Sequence, residues 1–270
     1  MPTKTIMIPS VGRRAAAMTE LLDSIAATPK LDTWRVVAVL QEYPPGWDHA
    51  RLGDVVRLPV GVGPHLARLA AYAAWESQIW CNLDDDTIVL PSVDYDTPTR
   101  RLLDDRGVGL ISCGWVRAAQ MTRRVYVDAG DPRAWVPQAI VYTGGGLLYR
   151  RDLVAEIRRI PDQPYLFDNV ADSLSSFLAG YQNFRYRGSL IVHKICGTDG
   201  RTAWVRQDSR VLPDPSFIRM EPCAKDFFPG TNNNWNIPGE KCLTKLAWHR
   251  HYEARRRLGF FVKERNRGQK

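Results

Sequence analysis

The chain has 270 residues, 44% hydrophobic and 24% charged, a balance that suits one large folded domain and excludes wholesale disorder. No apolar run approaches the ~20 residues that span a bilayer, and Thr3-Lys4 leads into Thr5-Ile6-Met7-Ile8 without a signal peptide's hydrophobic region, so a cytoplasmic protein is expected. Of 37 basic and 29 acidic residues, ten and two lie in residues 241–270, so the whole net charge of +8 sits in that tail and points to a polyanionic partner.

Thr5-Ile6-Met7-Ile8 reads as a strand, Pro9-Ser10-Val11-Gly12 as a turn, and Met18, Leu21, Leu22 and Ile25 recur at helical spacing. The nearly all-apolar run 34–40 predicts a strand buried on both faces, ending at Gln41-Glu42. A short strand at 55–58 leads through Gly61-Val62-Gly63-Pro64 into a helix from His65 to about Glu76. The strand 78–83 then runs directly into Asp84-Asp85-Asp86. Beyond residue 95 the pattern is mixed: strands at 108–112 and 139–142, helices at 151–160 and 168–179, and strands at 184–186 and 190–193. Residues 208–240, rich in Pro, Gly and Asn, read as a wrapped segment, and 243–270 as a basic helix. The expected organisation is one α/β domain over residues 1–240 with a C-terminal extension over 241–270. The five cysteines are scattered without C-x-x-C spacing, so neither a disulfide framework nor a zinc site is indicated.

Strands alternating with helices imply a mostly parallel, doubly wound sheet, which binds ligands at the carboxyl ends of its strands. Pro9-Ser10, Gln41-Glu42 and the three aspartates all fall at such ends, which predicts one shared pocket. Carboxylates there suit Mg2+ or Mn2+, hard cations that take one or two protein carboxylates and complete their shell with phosphate oxygens and water. An acidic turn with solvated side chains is the competing reading. Arg13, Arg14 and Arg68 are candidates for pairing with a diphosphate. Thr143-Gly144-Gly145-Gly146, following a strand, either lets a ligand approach the backbone closely or forms a turn with positive φ. In the tail, Trp248 and Tyr252 lie among Arg250, Arg255, Arg256 and Arg257. Cations and stacking rings together suit nucleic acid; an anionic membrane surface or a plain packed helix are the alternatives.

The order strand–Pro9-Ser10-Val11-Gly12-Arg13–helix, strand–Gln41-Glu42, Gly61-x-Gly63 plus helix, and Trp80-Cys81-Asn82-Leu83-Asp84-Asp85-Asp86 resembles the nucleotide-binding half of GT-A glycosyltransferases. Thr143–Arg151 resembles that family's acceptor-side glycine segment, Phe167-Asp168-Asn169-Val170-Ala171-Asp172 its acidic helix start, and Ile191-Val192-His193 its late histidine strand. The resemblance covers roughly residues 4–195 and departs at Leu69 and Asn169, where relatives carry Asn and a second carboxylate.

It implies a Rossmann-like fold, a nucleotide-sugar donor (UDP-sugar first) and a Mn2+ or Mg2+ cofactor. Donor contacts are implied at Pro9, Ser10, Arg13, Gln41, Arg68, Asp84, Asp85, Gly144 and Gly145. Metal contacts are implied at Asp86, Asp84 and His193, the last competing with a histidine satisfied by backbone. Asp168, then Asp172, would be the base of an inverting transfer, while an Asp at a helix start also serves as an N-cap. A cytoplasmic chain with a polycationic end suggests DNA with hydroxymethylated bases as acceptor, as for a phage-type DNA-modifying member. The alternatives are a glycan, polysaccharide or lipid-linked acceptor at a membrane, a nucleotidyltransferase, and a non-enzymatic nucleic-acid-binding protein.

Overall fold

The computed structural model describes residues 3–59, 64–117, 134–137, 146–157, 172–173, 175–176 and 179–193. The expected strand at 139–142, the glycines at 143–145, Asp168, the 208–240 segment and the tail lie outside the described residues. Among those described, no helix is long and apolar enough to cross a membrane.

β1 (Lys4–Val11) is buried from Thr5 onward and pairs in parallel with β2 (Arg35–Gln41), which pairs in parallel with β3 (Asp54–Leu58). On its other side β1 pairs in parallel with β4 (Ile79–Asn82). Both faces of β1, β2 and β4 are covered, which is why their interior positions are nearly all apolar, whereas the outer β3 stays half-buried and carries Asp54 and Arg57. Ile6, Ile8, Val36, Ala38 and Leu40 pack on Met18, Leu21, Leu22 and Ile25 of α1 (Ala15–Ala26). The intervening Met7, Val37 and Val39 pack on Ala67, Ala71 and Tyr72 of α2 (Pro64–Ala74). Alternate residues thus serve opposite helical layers.

The turn expected at Pro9 begins instead at Gly12, because β1 continues to Val11 opposite Gln41. Met7 accepts the Leu83 N–H at 3.0 Å and so faces β4. Pro9, two residues on, faces the same side, where the ladder has ended at the Met7–Asn82 pair. Its missing N–H therefore costs no ladder bond.

Beyond β4 the sheet becomes mixed. β5 (Thr87–Ile88) follows the aspartates, and α3 (Asp96–Asp104) leads to β6 (Val108–Arg117). β7 (Trp135–Pro137), β8 (Leu147–Arg150), α4 (Arg151–Ile157) and β9 (Gln182–His193) complete the described elements. The strand order is β3-β2-β1-β4-β8-β6-β9-β5, with β7 also on β9. β8 is antiparallel to β4 and β6, and β9 is parallel to β6.

The two strands expected at 184–186 and 190–193 form the single β9. Tyr186 lies opposite Cys113 and Leu190 opposite Gly114, so Arg187-Gly188-Ser189 are accommodated in a bulge. A side chain at Gly188 would meet the Tyr186 ring, its Cβ 2.3 Å from the hydroxyl. The expected helix before β9 is helical at residues 172, 173, 175 and 176. It closes where expected: Gly180 has φ +89° and the Tyr181 N–H reaches Ser176 O at 2.9 Å, a Schellman ending.

Candidate active site

Three strand ends meet around Asp84-Asp85-Asp86. β4 delivers the aspartates into a turn, which the Thr87 hydroxyl closes by donating to Asp84 O at 2.7 Å. Ser10, fully buried near the end of β1, donates its hydroxyl proton to Asp85 Oδ2 at 2.6 Å. Its oxygen then accepts from the Tyr43 hydroxyl at 2.6 Å, since burial pushes the Tyr43 phenol well above its ordinary pKa and keeps it protonated.

Tyr43 gets there through a tight turn after β2. Glu42 takes a left-handed φ of 58°, and its carbonyl approaches Gly12 so closely that a Cβ there would sit 2.1 Å from the oxygen. Gln41, buried at the end of β2, lies opposite Val11 and Leu58.

Arg14, last residue of the 3-10 turn Gly12–Arg14, donates to Asp85 Oδ1 and, at 3.1 Å, to Asp86 Oδ2. Burial alone would lower the Arg14 pKa, but Asp85 and Asp86 hold it above its ordinary value. Asp85 is 2% exposed, and its burial raises the carboxyl to about 7, with Asp86 pushing the same way and Arg14 and Ser10 opposing. Asp86 is also buried and Asp84 half-buried.

Pro9, Ser10, Gln41, Asp84, Asp85 and Asp86 are thus brought to one end of the sheet, with Arg13 exposed in the turn beside them. The backbone of His193 pairs with Thr87, the residue following Asp86, so the late strand ends at the aspartate turn. Arg68 and Asp172, expected separately on the donor and acceptor sides, meet in the interior: the guanidinium lies 3.4 Å from the carboxylate, at 1% and 0% exposure. Asp168, Gly144, Gly145, Trp248, Arg250, Arg255, Arg256 and Arg257 lie outside the described residues.

From the sequence Arg14 reads only as a phosphate candidate, and Tyr43 carries no assignment. Nothing in the adjacent Arg13-Arg14 says which guanidinium turns inward. Tyr43, directly after Gln41-Glu42 at a strand end, was the available signal for the hydroxyl.

Among the described residues no three His, Cys, Asp or Glu side chains form a ready-made ligand set. The donor chemistry nevertheless fits a hard divalent cation that takes few protein ligands. Asp84, Asp85 and Asp86 all act on the Arg14 guanidinium, so three carboxylates gather at one turn.

No protein-family model matches the chain, and no curated protein matches it by sequence. Solved structures do match its fold. The mannosyltransferase PcManGT from Pyrobaculum calidifontis, in complex with GDP-Man and Mn2+, is similar with a TM-score of 0.53 at 20% identity, over 94% of this chain and 69% of that one. GalNAc-T7, solved with UDP, GalNAc and Mn2+, gives a TM-score of 0.59 at 12% identity over 84% of this chain. TarS from S. aureus gives 0.54 at 13% identity, also over 84%. The chain spans 51% of the GalNAc-T7 chain and 40% of the TarS chain. With its large, mostly parallel sheet flanked by helices, the chain has the fold of the GT-A glycosyltransferases.

Proposed function

We propose that the protein is a metal-dependent glycosyltransferase that moves a sugar from a nucleoside-diphosphate sugar to an acceptor hydroxyl. The observation that carries this reading is the convergence of Ser10 and Arg14 on Asp85 and Asp86 at the carboxyl end of the sheet, with Tyr43 bonded behind Ser10. A solvated acidic turn would not be buried or hydrogen-bonded from the end of a neighbouring strand. Asp84 and Asp86, with His193, would hold Mn2+ or Mg2+, which when bound neutralises charge on the departing diphosphate.

Asp85 and Arg14 serve to fix the turn. Pro9, Ser10, Gln41 and Arg13 are assigned here to the donor's nucleotide, and Gly144 and Gly145 to its sugar. Asp168 takes the acceptor's proton in an inverting transfer. Calorimetry with a panel of UDP- and GDP-sugars tests the reading: binding is expected with Mn2+ and lost with Asp86→Ala. Equal affinity in the variant, or none in the native protein, would refute it.

For the acceptor, the reading we favour is DNA bearing hydroxymethylated pyrimidines, supported by ten basic against two acidic residues in 241–270 with Trp248 and Tyr252 among them. Such an enzyme works in the cytoplasm, that of the host cell for a phage-encoded chain. Incubation with radiolabelled nucleotide sugar and hydroxymethylcytosine DNA is expected to label the DNA. Label appearing only on lipid-linked or glycan acceptors would move the enzyme to a membrane substrate and leave the glycosyltransferase reading intact.

A further inference from the structure

Arg14 brings a positive charge to the turn that the proposed function assigns to a divalent cation. One arm of its guanidinium donates to Asp85 Oδ1 and the other, at 3.1 Å, to Asp86 Oδ2, while Asp84 attracts it through space. Its side chain is only 12% exposed. The fork therefore does more than hold the turn. It sets a cation on the same carboxylate that would take the metal.

Asp85 decides whether that charge can withdraw. Both of its oxygens are engaged, Oδ1 by Arg14 and Oδ2 by Ser10 at 2.6 Å, and the residue is 2% exposed. Removing the guanidinium would strand a buried carboxylate with one hydroxyl donor, a costly state. Ser10 is in turn bonded to Tyr43 at 2.6 Å, so the anchor is itself held in place. The base of the arginine is fixed as well. Gly12, two residues earlier, lies against the Glu42 carbonyl, and α1 begins one residue later at Ala15. Arg14 is thus a resident charge and not a mobile arm.

The aspartates attract a divalent cation, and Arg14 subtracts from that attraction at Asp86. Such repulsion is strong where water is largely excluded. Hard cations also take few protein carboxylates and complete their shell with phosphate oxygens. A diphosphate brings anionic oxygens of its own, which outweigh one guanidinium.

We propose that Arg14 makes metal uptake conditional on the donor. Its fixed charge weakens the hold of Asp86 on a free divalent cation, and a nucleoside diphosphate restores that hold. The inference rests on the glycosyltransferase reading and adds an order of binding to it.

The test titrates the full-length protein with MnCl2, alone and with UDP or GDP, and follows free Mn2+ by electron paramagnetic resonance. In the native protein a nucleoside diphosphate is expected to tighten Mn2+ binding about tenfold or more. Arg14→Gln, which removes the charge and keeps a hydrogen-bond donor, is expected to bind Mn2+ alone about tenfold or more tightly than the native protein does. Arg14→Lys keeps the charge without the fork and is expected to stay close to native. Native protein that takes Mn2+ alone as tightly as with nucleotide overturns the proposal, and this arm decides the matter if Arg14→Gln does not fold. Unchanged or weaker Mn2+ binding in Arg14→Gln also overturns it, making Arg14 an anchor only. Arg14→Lys binding Mn2+ as tightly as Arg14→Gln would overturn it too, since the fork and not the charge would then be the cause. Native protein that binds no nucleotide, with or without Mn2+, would instead remove the glycosyltransferase reading.

Discussion

Asp85 shows how burial changes the behaviour of a carboxyl. It is held near 7 in the folded protein, against about 4 in an unfolded chain. Between those values the folded state binds the extra proton, so stability falls as pH rises from about 4 to about 7. Asp85→Asn still accepts from Ser10 but no longer titrates. Thermal melts across this window are expected to show a flatter pH dependence in the variant than in the native protein; parallel slopes would contradict the assigned burial effect. Asp168→Asn is expected to keep donor affinity and lose about 10²–10⁴-fold in turnover, the range for removal of a general base. Single-turnover kinetics would read this, and native turnover would reduce Asp168 to a helix cap. The Asp84–Asp86 cluster was legible as a candidate because three carboxylates follow directly on an apolar strand end, where a doubly wound sheet binds its ligands. Arg14 was not, since only the folded turn decides which of two adjacent arginines faces inward.

Two elements are set by contacts rather than by propensity. The end of β2 reaches β1 only because Gly12 leaves room for the Glu42 carbonyl. Gly12→Ala is expected to cost about 1–3 kcal/mol through overpacking and to weaken donor binding as Tyr43 shifts from Ser10; urea unfolding and calorimetry check both effects. The end of α3 depends on Arg150, whose guanidinium donates to Leu102 O, Asp105 O and Arg106 O at 3.1, 3.2 and 3.0 Å. Arg150→Met leaves those carbonyls without their charged donor and is expected to cost about 1–3 kcal/mol, with donor affinity unchanged. Helices α1 and α2 were readable from apolar spacing, because each buries one stripe. β5 and β7, two and three residues long, carry no period that could announce them and exist through pairing with β9.

For the molecule as a whole, the proposed function assigns acceptor recognition to the charge in residues 241–270 and donor chemistry to the aspartate turn. Truncation after Gly239 is expected to keep Mn2+-dependent donor hydrolysis and to lose transfer onto hydroxymethylated DNA. The full chain's affinity for DNA should fall steeply with salt, as counterion release requires; no DNA binding at low salt would remove the DNA acceptor. By itself the sequence determined the alternation of strands and helices, the ends of the first strands as the place of the site, and the aspartates at its centre. Those properties follow from local periodicity and from where apolar runs stop, both written in consecutive residues. The tertiary structure alone decided that β1 runs through Pro9, that Arg14 serves Asp85 and Asp86, and that Arg68 meets Asp172. Each of these depends on which distant segment lies alongside. Strand register and helix packing set that, and no local period encodes it.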